Sequence, residues 1–178
     1  MIIALVLLYV GAVLVVNGIW LLGHIADREV GVLNTFAGGI GLISAITVAV
    51  VGTIEGNLAS IELAAYILLF AFTYLWVAIN QYLDVDGRGL GWYCLFVAIT
   101  AVPTAWLTFT AADGQPWLTW LAVNWAVWAV LWFLYFLLLA QRLAITRLAA
   151  AVTLLAGVGT AWLPAYLLLN ELLPLPAA

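Results

Sequence analysis

Charged and reactive side chains are scarce in this sequence. It contains no lysine, one histidine and one cysteine, and only 7% of its 178 residues carry a charge. Four arginines against eight acidic residues give a net charge of -4, which excludes the basic face that a nucleic-acid binder needs. The single cysteine, Cys94, excludes an intramolecular disulfide and a cysteine-based metal site. Hydrophobic residues make up 69% of the chain, more than a soluble fold of this size can bury, so lipid is the expected surrounding.

Charges and helix-breaking residues divide the chain into six apolar runs, each long enough to cross a hydrocarbon core of about 30 Å as a helix of about 20 residues. The predicted spans lie at about residues 2–23, 32–54, 63–83, 90–110, 117–140 and 148–170. The first run is too long for a signal peptide and lacks a basic start, so we expect a retained helix. Short connections predict antiparallel neighbours and a single all-α, six-helix transmembrane domain over residues 1–178.

The arginines predict the orientation of the bundle. Arg28 lies in the first loop, Arg88 in the third, and Arg142 and Arg147 in and around the fifth. The second and fourth loops carry acidic residues only. The positive-inside rule therefore places the arginine-bearing loops in the cytoplasm and both termini on the outside.

The interior of every predicted span is free of Asp, Glu, Lys, Arg and His. A charge at the bilayer centre costs roughly 2.5–3.5 kcal/mol, so a protein keeps one there only for use. Ion-coupled transport and membrane-embedded catalysis both need such groups, and the lone His24 has no partner for a catalytic triad. We therefore expect no enzymatic activity, no metal and no cofactor, and predict downhill movement of a neutral solute.

Uncharged polar side chains do occur inside the spans. Threonines are most simply explained as hydrogen-bonding between helices. Asn17, Asn80 and Asn124 leave two interpretations open, because a primary amide that secures the bundle and one that contacts a solute satisfy the same hydrogen-bonding groups. With Thr160 of the sixth span, these asparagines are the candidate polar contacts along a path.

Tryptophan is abundant, and half of the ten tryptophans lie in the fifth span. They are Trp117, Trp120, Trp125, Trp128 and Trp132. They fall within an arc of roughly 140° of the helix. An interfacial aromatic belt explains the first of them, but not the three that lie deeper. Those three favour either dense packing of the bundle core or a narrow slot with aromatic walls, through which a small planar neutral molecule passes edge-on.

Several segments together resemble the AmiS/UreI family of bacterial amide and urea channels, and the resemblance covers nearly the whole chain. The segments are Leu5-Val6-Leu7-Leu8-Tyr9-Val10-Gly11, Phe72-Thr73-Tyr74-Leu75-Trp76, Trp92-Tyr93-Cys94-Leu95-Phe96, Trp125-x-x-Trp128-x-x-x-Trp132 and Thr160-Ala161-Trp162-Leu163-Pro164. The resemblance implies a bacterial inner-membrane protein with external termini. It also implies a homohexameric ring of six protomers, each with its own pore.

The family resemblance also implies which side chains line the pore of each protomer. The implied positions are Leu7, Val10, Leu14, Phe72, Trp76, Trp125, Trp128 and Trp132.

Two departures from the urea-channel pattern bear on function. The external loop between Glu55 and Glu62 has no histidine, whereas the acid-gated members of the family carry histidines in their external loops, so we expect no acid gating. Ala156 stands where a urea-channel member has a glutamate, which favours the amide-channel branch. The predicted function is a passive channel for short amides or urea that supplies an intracellular amidase or urease. The alternatives are a non-transporting structural subunit and, last, a membrane enzyme.

Overall fold

A computed structural model describes residues 2–172, and it confirms six apolar helices that are long enough to cross a membrane. The helices are α1 (Ile2–Leu21), α2 (Asp27–Glu55), α3 (Leu58–Leu83), α4 (Arg88–Ala111), α5 (Pro116–Tyr135), α6 (Thr146–Ala156) and α7 (Leu163–Leu169). A π-helical turn, Phe136–Ala140, extends α5 to complete the fifth span. A second π-helical segment, Gly157–Trp162, joins α6 to α7, and the three together form the sixth span.

Helices α2, α3 and α4 extend beyond the predicted spans because their added turns contain polar residues. The second helix begins at Asp27, and Asp27 and Glu29 lie in its first turn, where acidic side chains interact favourably with the positive end of the helix dipole. The third begins after Asn57, whose side chain accepts a hydrogen bond from the backbone N–H of Ser60 at 3.2 Å. Hydropathy alone reports the apolar part of each span and misses such terminal turns.

The six spans pack chiefly as three pairs. The closest neighbours are α2 with α3, α4 with α5, and α1 with the sixth span. Small residues allow this closeness: a Cβ added to Gly11 would lie 2.6 Å from the backbone nitrogen of Trp162. On α2, Gly38 and Gly41 approach α3, whereas a Cβ added to Gly39 would have no neighbour within 4 Å. The looser spacing between pairs leaves room inside the bundle, bordered by α1, α3, α4 and α5.

Much of the apolar surface lies on the outside of the bundle. The bundle buries 50% of the residues in the most apolar stretch of α1, but only 28% of those in α4. Trp106 and Ile99 on α4, and Ile43 on α2, are among the large side chains left exposed. Such a surface is compatible with lipid or with neighbouring protein, and not with water.

Candidate functional site

Two cavities lie one above the other along the bundle. The wide cavity, of about 370 Å³, is at the end that carries the N-terminus and the α2–α3 and α4–α5 loops. The narrow cavity, of about 40 Å³, is in the half nearer the arginine-bearing loops. Phe70 and Trp128 line both cavities, so these two side chains form the junction between them. The two cavities and their junction together are the candidate path.

The junction is made of rings that meet edge to face. The Phe70 and Trp128 centroids are 4.8 Å apart with an interplanar angle of 82°, and Phe70 and Trp132 are 4.7 Å apart at 61°. The contacts continue towards the wide end, where Trp125 lies 5.2 Å from Trp128 and 4.9 Å from Tyr66. These five side chains form a continuous aromatic wall. Edge-to-face contacts of this kind are favourable and fix the rings relative to one another.

Hydrogen bonds hold two of the indoles in place. The indole N–H of Trp128 donates to the Thr160 hydroxyl at 2.8 Å, and that of Trp132 donates to the Thr73 hydroxyl at 3.3 Å. Each threonine hydroxyl in turn donates to a backbone carbonyl of its own helix, at 2.6 Å for Thr160 and 2.8 Å for Thr73. The N–H groups of Trp128 and Trp132 are therefore committed to the protein and present their rings, rather than a donor, to the path.

The backbone carbonyl of Thr160 lacks its usual helical hydrogen-bond donor because of the proline four residues later. Pro164 has no backbone N–H, so the carbonyl of Thr160 loses the donor that an α-helix would supply four residues later. The Asn124 side chain of α5 supplies that donor, with its Nδ2 3.1 Å from the Thr160 carbonyl oxygen. Asn124 is fully buried, and its Oδ1 accepts no hydrogen bond from any residue that the structure describes. Asn124 thus links α5 to the irregular part of the sixth span.

A pair of asparagines joins α1 to α2 beside the narrow cavity. The Asn17 Nδ2 donates to Asn34 Oδ1 at 3.1 Å, and Asn34 Nδ2 donates to Asn17 Oδ1 at 2.7 Å. Asn34 also donates to the Val30 carbonyl at 2.9 Å. Asn17 lines the narrow cavity, and the second N–H of its amide makes no hydrogen bond within residues 2–172. The Tyr74 hydroxyl on the same cavity makes no hydrogen bond within residues 2–172, which leaves it free to donate or accept.

The structure places most of the predicted path residues on these cavity walls. Leu7, Val10 and Trp125 line the wide cavity, Leu14 and Trp132 line the narrow one, and Trp128 lines both. That they contact a moving solute stays a prediction.

Of the four residues predicted to make polar contacts with a solute, only Asn17 lies on a cavity wall. Asn17 lies on the narrow cavity, whereas Asn124 and Thr160 lie behind the wall, in the network that holds Trp128. Asn80 is buried at the arginine-bearing end, near Gly87 and apart from both cavities.

Phe72 and Trp76 lie on a different face of α3 from the one expected. Phe72 is 45% exposed and Trp76 37% exposed, and neither lines a cavity. Trp76 packs against Tyr93 of α4, with centroids 5.7 Å apart. Two residues along a helix correspond to a rotation of about 200°, so Phe70 faces inwards where Phe72 faces outwards. On α3, the phenylalanine that lies at the junction is therefore Phe70, and solute contact by Phe72 or Trp76 stays a prediction.

The inward face of α3 is marked in the sequence by aromatic residues at helical spacing. Tyr66, Phe70 and Tyr74 recur every four residues, which is the spacing of one helix face. Asn34, the partner of Asn17, gave a weaker signal as a lone amide in the second span.

Among the described residues, 2–172, ionic contacts occur at the arginine-bearing end only. Asp86 lies 2.6 Å from the Arg88 guanidinium and 3.3 Å from that of Arg142, and so joins the α3–α4 and α5–α6 loops. Hydrogen bonds from the backbone N–H and guanidinium of Arg88 lower the pKa of Asp86 below its ordinary value. Within residues 2–172 no group of three potential metal-ligating side chains comes together. Glu62, at the mouth of the wide cavity, is the one charged side chain among the described residues that line either cavity.

Comparison with known proteins places this geometry in a family. The profile of the AmiS/UreI family transporters matches residues 2–172. A Mycolicibacterium smegmatis protein, to which transport of amidate substrates is ascribed, is 47% identical over 97% of this chain and 80% of its own length. The acid-activated urea channel of Helicobacter pylori strain 26695 is 34% identical over 92% of this chain and 95% of the channel. The crystal structure of the H. pylori urea channel superposes with a TM-score of 0.87 at 35% identity, covering 98% of this chain and all of that one. The chain therefore belongs to the AmiS/UreI family.

Proposed function

We propose that this protein is a passive transmembrane channel for small neutral amides, short aliphatic amides or urea, and that it is not an enzyme. The observation that carries the proposal is the junction of Phe70 and Trp128 between two cavities that follow one another along the bundle. The related transporter and urea channels support the same class of function.

The chemistry of the wall favours neutral solutes. An ion that left water for this path would lose its hydration, and the aromatic wall offers no charge to replace it. A small amide loses fewer and weaker water contacts, and the path returns some of them. In the narrow cavity the Tyr74 hydroxyl and the Asn17 amide are both available for hydrogen bonds. Movement is then driven by the solute gradient alone.

The junction is expected to select by shape. Phe70 meets Trp128 and Trp132 edge to face, so flat rings border the junction, and a planar amide can present its thin edge to them. Glycerol is neutral and of similar size but not planar, so we expect it to pass more slowly. The geometry therefore supports selection for planar solutes.

We extend the proposal to topology and assembly. The arginine-bearing loops are taken as cytoplasmic and the termini as external, in the inner membrane of a bacterium. The wide cavity would then open outwards and the narrow one towards the cytoplasm, where an amidase or urease would consume the solute. The family resemblance supports a ring of six protomers with one path each, and the exposed apolar faces of α2 and α4 are available to neighbours or lipid.

Absence of acid gating is a further part of the proposal. The α2–α3 loop is only Gly56 and Asn57, and it carries no histidine that could titrate between neutral and mildly acidic pH. His24 is exposed near the end of α1, at the arginine-bearing end. We therefore expect similar permeability at neutral and mildly acidic pH.

Stopped-flow swelling of proteoliposomes tests the proposal. Vesicles that contain the purified protein are challenged with acetamide, urea or glycerol at neutral and at mildly acidic pH, beside protein-free vesicles. Acetamide or urea flux above the protein-free rate, with glycerol well behind, is the expected result. Amide flux equal to that of protein-free vesicles would instead support a non-transporting structural subunit. A strong rise of flux on acidification would overturn only the statement about gating.

A further inference from the structure

Four polar side chains cluster on one side of the wide cavity. They are Glu62 and Tyr66 on α3, and Thr104 and Thr108 on α4. The Tyr66 ring rests against Trp125, so the cluster lies at the outer end of the aromatic wall. Thr104 lies beside the Tyr66 hydroxyl and is 5% exposed. The remaining lining of the wide cavity is almost entirely apolar.

The hydroxyl protons of this cluster are already in use. Tyr66 donates to the Glu62 carboxylate at 2.7 Å, because residues four apart lie on one face of α3. Thr104 donates to the carbonyl of Thr100, and Thr108 to that of Thr104, each at 2.8 Å. What remains on the cavity side is a set of acceptors: three hydroxyl oxygens and the unused lone pairs of a carboxylate.

Because the hydroxyl protons of the cluster are used within the protein, the cluster offers only hydrogen-bond acceptors to the cavity. Such a cluster is complementary to a solute that has N–H groups. A carboxylate binds such groups more strongly than a neutral oxygen does. The Trp125 indole N–H makes no hydrogen bond within residues 2–172 and remains on the same wall as a donor for a carbonyl. The arrangement thus distinguishes the two ends of a primary amide.

We infer that Glu62, Tyr66, Thr104 and Thr108 form a binding subsite for the NH₂ group of a primary amide or urea. The subsite captures the solute by its nitrogen before it reaches the junction. It rests on the proposed channel function and adds a specificity to it: solutes that have N–H donors are preferred over solutes of the same size that have none.

Two isomeric solutes test this preference directly. Propionamide and N,N-dimethylformamide have the same atoms, but only propionamide has N–H groups. In the swelling assay, corrected for protein-free vesicles, the wild type should pass propionamide faster. Replacing Tyr66 by Phe keeps the ring against Trp125 and removes the hydroxyl, and replacing Glu62 by Gln keeps the size and removes the charge. Each change should lower the propionamide to dimethylformamide ratio roughly threefold to tenfold, the factor for losing about one hydrogen bond.

Matched control variants lie at the same end of the molecule. Glu55→Gln changes an exposed carboxylate at the end of α2, and Tyr166→Phe changes an exposed tyrosine on α7, and neither residue lines the cavity. Both should keep the wild-type ratio. Thr104→Val removes a hydroxyl with little change of shape and is a third test variant beside Glu62→Gln and Tyr66→Phe. It should lower the propionamide to dimethylformamide ratio.

The outcomes separate this inference from the channel proposal. Wild-type flux equal to that of protein-free vesicles would defeat the channel itself. Wild-type amide flux with an unchanged ratio in Glu62→Gln, Tyr66→Phe and Thr104→Val would overturn the subsite and leave the channel standing. Equal gains for both solutes in these variants would also overturn it, because they would show a steric constriction rather than a binding site.

Discussion

The wide and narrow halves of the path are lined by the same four helices, yet their polar groups are arranged differently. In the narrow half, Trp132 and the junction residue Trp128 donate their N–H groups to threonines of the protein. In the wide half, the hydroxyls of Tyr66, Thr104 and Thr108 donate hydrogen bonds to neighbouring protein groups, and their oxygens are left as acceptors on the cavity side. One half is therefore suited to selecting by shape, and the other to attracting N–H groups.

The difference arises from what lies behind each half of the wall. Behind Trp128 lies the sixth span, where Pro164 frees a carbonyl and Asn124 and Thr160 form a fixed network. Behind Tyr66 there is no comparable network among the described residues, and Glu62 at the mouth is exposed. It follows that hydrogen bonds hold the junction in place, whereas the mouth of the wide cavity is more open.

Removing the indole of Trp128, which lines both cavities, should abolish the difference between the wide and narrow halves of the path. Trp128→Ala is expected to merge the two cavities and to lower the acetamide to glycerol flux ratio towards that of an unselective pore. It should also destabilise the protein by about 3–5 kcal/mol, as truncation of a buried aromatic residue does. Swelling assays and thermal unfolding in detergent measure the two effects. Trp117→Ala, near the start of α5 and outside both cavities, should change the ratio less; equal losses would show that tryptophan packing alone sets selectivity.

The two faces of α3 provide a sharper test of which residues meet the solute. Phe70→Ala should change the flux ratio and cost about 3 kcal/mol of stability, because Phe70 is buried at the junction. Phe72→Ala lies on the outer surface and should leave the ratio unchanged, with a stability change within about 0.5 kcal/mol. The same two assays apply. A larger effect on selectivity from Phe72 than from Phe70 would contradict the path described above.

The network behind Trp128 should respond to loss of a single amide. Asn124→Ala leaves the Thr160 carbonyl without its side-chain donor, and it should cost about 1–3 kcal/mol in detergent unfolding, since an unpaired buried acceptor is unfavourable. Asn170→Ala is the control, because the Asn170 amide also donates to a backbone carbonyl, that of Tyr166 at 2.8 Å, but within its own helix end and in an exposed position. Comparable stability losses in both variants would show that burial of the network is not what matters.

The smallest effect is expected from the ion pairs at the arginine-bearing end, far from the wide cavity. The pKa of Asp86 is lowered in the folded state, so its charged form stabilises the fold at pH values above the ordinary pKa of aspartate. That contribution is lost only as the pH falls through the lowered pKa. Asp86→Asn should therefore reduce the unfolding temperature slightly, and by the same amount at neutral and mildly acidic pH. A difference that vanished already at mildly acidic pH would disprove the lowered pKa.

Some of the site was readable from sequence because the relevant signal is local. On α5, Trp125, Trp128 and Trp132 lie on one face, so one face pointing inwards brings all three to the wall. On α3, aromatic residues occupy opposite faces, and both Phe70 and Phe72 fit an apolar span. The choice between them depends on how α3 packs against α2, where Gly38 and Gly41 allow close approach. The family resemblance drew attention to the Phe72 segment, and hydropathy could not correct it.

Six membrane-spanning segments, each free of charge in its predicted interior, could be read from the amino-acid sequence alone, because transfer of apolar residues into lipid depends on each segment separately. The packing of the helices was needed to show that Phe70 lies at the junction, that Asn34 pairs with Asn17, and that Glu62 lines a cavity. Those facts depend on which helices stand next to one another and at what rotation. Hydropathy does not encode rotation, since every face of these helices is apolar enough to meet lipid.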